Sequence, residues 1–289
     1  MKKDAELVNS SLKRTYSENC DEELLKIIEA MEYSLMAGGK RIRPIIALAF
    51  CRLFGGRDEA ALPYGCALEM VHTASLIHDD LPCIDNDELR RGRPTNHVVF
   101  GESTALLAGD GLLMDAYGVI AKNNLVAPEF NLSAIKVLSD CTGTHGLVGG
   151  EFIDVMGEDT PLGLQSLRKM DAYKTGALIK ASALLGCLAA GVELCDERIK
   201  DVTLYAENIG QAFQIVDDVL DVIGSAEELG KNPGADAKEK KSTYLSFYSV
   251  DEAIKYAKEL TRDAVDAISK YENSEFLCDL AIYLTDRRN

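Results

Sequence analysis

Apolar residues along this chain recur at helical rather than strand spacing. In "DEELLKIIEAMEYSLMA", residues 21–37, Leu24, Leu25, Ile28, Met31, Leu35 and Met36 form one stripe, because positions three and four apart share a helix face. Gly38-Gly39 ends that stripe. "RIRPIIALAFCRLFG" follows, with Pro44 suited to a first turn. "DEAALPYGCALEMVHTASLIHDDL" predicts a long helix with Pro63 early and Pro82 closing it. The same spacing predicts helices over 102–123, 129–145, 163–190, 196–223, 250–271 and 274–287. Some of these are apolar nearly all round, such as "GALIKASALLGCLAAGV", which places them inside a larger bundle. No window alternates as a strand would. The one long loop is "GSAEELGKNPGADAKEKKS", residues 224–242. With no linker, repeat or low-complexity block, the pattern predicts one all-α domain over 1–289.

Composition narrows the function. Apolar residues make up 47% of 289 positions, so the chain can bury a core. A net charge of −16 argues against general nucleic-acid binding, and an anionic ligand would need local basic patches or bridging cations. Eight cysteines occur without a Cys-x-x-Cys pair and are expected to be reduced thiols, mostly small core residues. "MKKDAELVNS" lacks the apolar core of a secretory signal. No apolar run is expected to span a bilayer. The expectation is a soluble, cytoplasmic protein with no stable membrane insertion.

Two acidic clusters carry the candidate chemistry. In "QAFQIVDDVLDV", Asp217 and Asp221 are four apart and share a face of an apolar helix, with Asp218 beside them. In "HDDLPCIDNDELRRG", Asp79 and Asp80 close a helix, and a turn at Pro82 would bring Asp85 back toward them. Like-charged clusters in a low-dielectric cleft need cations. All-oxygen ligands suit magnesium, which binds through a few carboxylates plus substrate phosphates. Basic residues sit beside both clusters: Lys40, Arg41 and Arg43 in "GGKRIRP", Arg90 and Arg91, and Lys231 and Lys241 in the long loop. Helix N-termini and basic side chains both attract phosphate. Each element alone is an ordinary solvated charge; their placement beside both acidic clusters is what points to a magnesium–phosphate site.

The order of motifs, from "GGKRIRP" through "DDLPCID", "RRG", "YKTG", "GQAFQIVDDVLD" and "GKNPGAD" to "KSTY", resembles the trans-prenyltransferases, or polyprenyl diphosphate synthases, over nearly the whole chain. The six-residue spacing from Asp79 to Asp85 is similar to the bacterial and plastid branch. The resemblance implies a helical bundle with a central cavity flanked by two Asp-rich helices. It implies that Lys40, Arg43, His72 and Arg91 hold the diphosphate of isopentenyl diphosphate. Asp79, Asp85 and Asp217 would bind three magnesium ions bridging an allylic diphosphate, with Asp80, Asp218 and Asp221 completing the clusters. Arg90, Lys174 and Lys241 would contact that diphosphate, with Lys231 nearby. Thr175, Gln211 and the Lys174 carbonyl would face an allylic cation. It also implies a homodimer acting on small diphosphate substrates. Two positions depart from the family pattern: Glu151 in "GLVGGEFID", where glutamine is usual, and Leu245 after "KSTY", where proline is common.

Chain length would be set on the helix entering the first acidic motif. Helical rise puts Ala74 about 7 Å deeper than Asp79. Ala74, Ser75 and Val71 are small where farnesyl synthases of this branch often carry an aromatic, so the expected product is geranylgeranyl diphosphate, with farnesyl diphosphate the alternative. Small residues there would also suit close helix packing. A class I terpene cyclase would want an aromatic-lined pocket, yet tryptophan is absent. A non-catalytic partner subunit would be expected to have damaged acidic motifs, and both are whole. "EMVH" supplies one Glu-x-x-His where a di-metal bundle needs two. "GSAEELGKN" departs from the P-loop pattern.

Overall fold

The computed structural model describes residues 1–16, 21–223 and 242–286. It is all-α apart from one two-stranded hairpin. The helices are α1 (Lys2–Thr15), α2 (Leu25–Leu35), α3 (Ile42–Leu53), α4 (Asp58–Asp79), α5 (Asn96–Phe100), α6 (Glu102–Ala121), α7 (Pro128–Thr142), α8 (Leu147–Asp159), α9 (Leu164–Asp171), α10 (Ala177–Ala189), α11 (Arg198–Ile223), α12 (Val250–Ile268) and α13 (Glu275–Thr285). The predicted helices are present with shifted ends. One expected helix, 163–190, is divided by a π-helical turn at Ala172–Gly176. Helices α1, α5 and α8 were not expected. The short hairpin β1 (Leu89–Arg90) and β2 (Arg93–Pro94) was not expected either.

The chain forms two compact units. Unit 1 holds Met1–Cys51, Gly55–Ile135 and Leu185–Gly191. Its long helix α4 is buried nearly all round, from Ala60 to Ile77, and packs on α6 through Ala105, Ala108, Leu112, Ala116 and Ile120. Those five follow helical spacing, so one side of α6 is core. Contrary to expectation, α6 is long and apolar enough by length and composition to cross a membrane, though a third of that stretch is buried inside the protein. Asp110 and Asp115 interrupt the run in the sequence.

Unit 2 holds Arg52–Phe54, Lys136–Leu184 and Val192–Asn289. Its core joins Ala212, Ile215, Val216 and Val219 of α11 to Ala253, Ala257 and Leu260 of α12, with Leu167 and Tyr244. Ser249 and Glu252 form a reciprocal capping box that starts α12. The described cysteines are all free thiols; Cys51, Cys66 and Cys187 are buried, whereas Cys83 and Cys195 are exposed.

Candidate active site

In unit 1 the chain turns sharply after α4. The backbone N–H of Asp85 donates to Asp79 O at 2.9 Å, and Ile84 and Asn86 both donate to Leu81 O. The expected turn at Pro82 therefore exists and returns Asp85 to Asp79. The hairpin follows at once. Arg91 and Gly92 at its tip both have positive φ, 54° and 73°, as a type I′ turn requires. Arg90 Nε donates to Asp80 Oδ1 at 2.6 Å, and its guanidinium also lies 3.5 Å from Asp87. Asp80 is 3% exposed. Burial pushes its carboxyl up to about 6, against the pull of Arg90.

Arg91 reaches across to donate to the Gly38 carbonyl. Gly38 and Gly39 have φ of 93° and 122°, backbone that side-chain-bearing residues rarely adopt, which is why that loop needs its diglycine. Beside it, Arg41 occupies the left-handed region at φ 52°, a conformation that persists only when its surroundings hold it. Three bonds do so: to Glu69 Oε1 at 2.5 Å, Leu35 O at 2.6 Å and Asn9 Oδ1 at 2.8 Å. The ion pair is buried on both sides. Helix α1, which supplies Asn9, thus helps fix the basic loop.

Glu69 lies one turn before His72 on α4. Burial, followed by the nearby charges of Arg43, Arg91, Arg90 and Arg41, pushes the His72 pKa well below the ordinary histidine range. His72 is therefore neutral at physiological pH. The Arg43 Nε is buried with no hydrogen-bond partner among the described residues. Lys40 is exposed nearby in sequence. Four arginines, one buried carboxylate and an unsatisfied guanidinium nitrogen make a setting for an anion.

In unit 2, Lys174 and Thr175 sit on the π-turn, a geometry common at functional sites. Lys174 Nζ lies 2.5 Å from Asp154 Oδ2 and 2.8 Å from Glu151 Oε2. Both acids come from α8. A Cβ at Gly150 would collide with the Lys174 backbone, and one at Gly149 with the Thr144 carbonyl. Gly150 thus lets α8 lie against the turn, and Gly149 lets the chain pass the Thr144 carbonyl.

Thr175 Oγ1 hydrogen-bonds Gln214 Oε1 at 3.0 Å. Gln211, expected with Thr175 to face an allylic cation, donates through Nε2 to Tyr244 Oη at 3.3 Å. Gln211 also lines a cavity of about 1150 Å³ with Tyr173, Gly176, Lys180, Glu207 and Tyr256. Gln214 lies one turn before Asp217, and that spacing was the available signal for it.

The aspartates of α11 divide in role. Asp217 is half-buried, while Asp218 and Asp221 are buried. Asp218 Oδ2 accepts from the Tyr244 backbone N–H at 2.7 Å, so it also holds the segment before α12. Burial and the Asp218 charge push Asp171 up to about 8. Among the described residues, no three His, Cys, Asp or Glu side chains converge to hold an ion by themselves. Magnesium bound by one or two carboxylates plus phosphate oxygens does not require such a group, and the all-oxygen donor set suits it. Lys231 and Lys241 lie outside the described residues.

Residues 25–276 match the polyprenyl synthetase family model. The chain is 47% identical over 268 residues to geranylgeranyl diphosphate synthase of Cyanophora paradoxa, spanning 91% of this chain and 88% of that protein. It is 44% identical over 293 residues to the heterodimeric geranylgeranyl pyrophosphate synthase large subunit 1, chloroplastic, of Arabidopsis thaliana, spanning 99% and 78%. The crystal structure of an FPP/GFPP synthase from Zymomonas mobilis superposes with a TM-score of 0.87 at 32% identity, covering 98% of this chain and 96% of that one. With the aspartate motifs, the arginine cluster and the Lys-Thr turn all in place, this chain belongs to the polyprenyl synthetase family.

Proposed function

We propose that this protein is a magnesium-dependent prenyltransferase that condenses isopentenyl diphosphate with dimethylallyl, geranyl or farnesyl diphosphate to give all-trans geranylgeranyl diphosphate. The observation that carries this reading is the arginine group of unit 1, with Arg43 Nε buried and without a hydrogen-bond partner among the described residues. A terpene cyclase takes one diphosphate and has no use for a second anion pocket.

In this reading Lys40, Arg43, His72 and Arg91 hold isopentenyl diphosphate. Asp79, Asp85 and Asp217 hold magnesium, three ions in all, with Asp80, Asp218 and Asp221 in support. Bound magnesium supplies charge neutralisation to the diphosphate leaving group. Arg90 and Lys174, with Lys231 and Lys241, grip the allylic diphosphate. Its C–O bond breaks with the electron pair leaving on diphosphate. The isopentenyl double bond supplies the new C–C bond, and a proton is lost to the released diphosphate. Thr175 and the Lys174 carbonyl face the allylic cation. Gln211 faces that cation as well, and Gln214, bonded to Thr175, joins them.

Small residues on α4 support the longer product. Ala74 is 2% exposed and Val71 is fully buried. Ser75 is partly open, four residues before Asp79 on the same face, and bonds His72 O at 2.9 Å. Ser75 is therefore the foremost candidate for the pocket floor.

A cytoplasmic homodimer completes the proposal. Helix α8 exposes Val148, Phe152 and Met156 on one side, an apolar face of the kind that marks an interface. The relative described as a heterodimeric large subunit makes a heteromer the competing assembly. Sedimentation of the purified chain as a monomer would reject the homodimer.

The reaction is tested by incubating the protein with labelled isopentenyl diphosphate and farnesyl diphosphate. Magnesium-dependent incorporation of label into prenyl diphosphate is expected. Cyclic hydrocarbon formed without consuming isopentenyl diphosphate would sink the reading.

A further inference from the structure

Glu151 and Asp154 project from α8 three residues apart, and both reach the Lys174 ammonium. They do not reach it in the same way. Asp154 accepts a hydrogen bond from Nζ at 2.5 Å. Glu151 Oε2 lies 2.8 Å from Nζ, but both Glu151 oxygens are buried and neither accepts a hydrogen bond from the described residues. Its contact is thus an ion pair without hydrogen-bond geometry.

Two carboxylates bear on the one ammonium, and Glu151 adds a negative charge beside the Lys174–Asp154 pair. The three side chains are only 24%, 17% and 13% exposed for Lys174, Glu151 and Asp154, so solvent screening is reduced. An amide at position 151 would remove that negative charge and keep the Asp154 contact. A carboxylate there draws the ammonium toward α8 and repels an incoming anion. The fit of α8 against the π-turn, through Gly150, fixes this arrangement in the backbone.

We propose that Glu151 is a positioning residue that holds Lys174 against α8 and weakens the grip of unit 2 on a diphosphate. This rests on the proposed reading that Lys174 contacts a diphosphate. The consequence for the reaction is easier release of the diphosphate product, at the cost of weaker capture of the allylic substrate.

The test is calorimetric titration of the full chain with inorganic diphosphate in excess magnesium, for wild type, Glu151→Gln, Glu151→Asp and Lys174→Ala. Isopentenyl diphosphate without magnesium, which addresses the arginine group, is the control ligand. Glu151→Gln is expected to bind diphosphate about tenfold more tightly, equivalent to ~1.4 kcal/mol, with the control unchanged. Glu151→Asp, which keeps the charge, is expected to bind as wild type does. A merely structural role could not produce a gain of affinity confined to one ligand. If Lys174→Ala weakens binding while Glu151→Gln leaves it unchanged or weaker, the inference is overturned and the reading of Lys174 stands. If Lys174→Ala binds as wild type does, that reading fails and takes the inference with it.

Discussion

His72 and Arg41 both depend on charges held out of water, and each gives a test at the scale of one residue. A folded-state pKa depressed below the ordinary value means that the unfolded chain binds the proton first. His72 therefore contributes stability above about pH 6.5, and that contribution is lost as pH falls toward its depressed folded pKa. We expect stability to fall by up to ~1.4 kcal/mol per pH unit from this group below about pH 6.5. His72→Asn should flatten that limb of a urea-denaturation profile between pH 7.5 and 5.5; an unchanged limb would show His72 to be ordinary. For Arg41 the issue is pairing. Removing one partner of a buried ion pair costs about 3–5 kcal/mol, so Glu69→Ala should lose stability on that order. The milder Glu69→Gln should raise the KM for isopentenyl diphosphate more than that for the allylic substrate, since it loosens the loop bearing Lys40 and the start of α3 that bears Arg43. Equal effects on both substrates would contradict the positioning role.

At the scale of elements, the glycine pair of α8 marks the boundary of what the sequence revealed. The sequence reading placed no helix between 145 and 163. In the fold Gly150 serves close approach, because the Lys174 backbone occupies the space a Cβ would need, and Gly149 does the same against the Thr144 carbonyl. Gly150→Ala should therefore disturb the π-turn and cost about 1–3 kcal/mol by overpacking, together with a loss of turnover; full activity would mean the turn tolerates movement. The motifs themselves were legible because they are local: the turn from Asp79 to Asp85 and the order of basic residues depend on neighbours in the chain. The partner of Thr175 was not, since choosing between Gln211 and Gln214 requires knowing how α11 is rotated toward the π-turn. Helix α1 escaped notice for a similar reason, as only Val8 and Leu12 of its apolar positions are buried. The hairpin of Leu89–Arg90 and Arg93–Pro94 is too short to alternate.

The whole molecule carries −16 net charge yet is proposed to bind two diphosphates. Local arginines serve one and metal ions the other, so chelation should separate them. With EDTA, isopentenyl diphosphate should still bind the Arg43–His72 group while condensation stops. Loss of both together would mean that metal also organises the arginine group. Product length belongs to this scale too. Ser75→Phe should shift the product toward C15, because Ser75 lies on the partly open face of α4. Ala74→Phe should cost stability as well, since Ala74 is buried. An unchanged product from Ser75→Phe would move the pocket floor to another helix.

The most direct measurement of the central claim is a product assay with magnesium, isopentenyl diphosphate and each of dimethylallyl, geranyl and farnesyl diphosphate, with products separated by chain length. The account predicts a C20 prenyl diphosphate from all three primers. Accumulation of C15 without extension would contradict the chain length, and no condensation by folded, metal-loaded protein would contradict the proposed reaction itself.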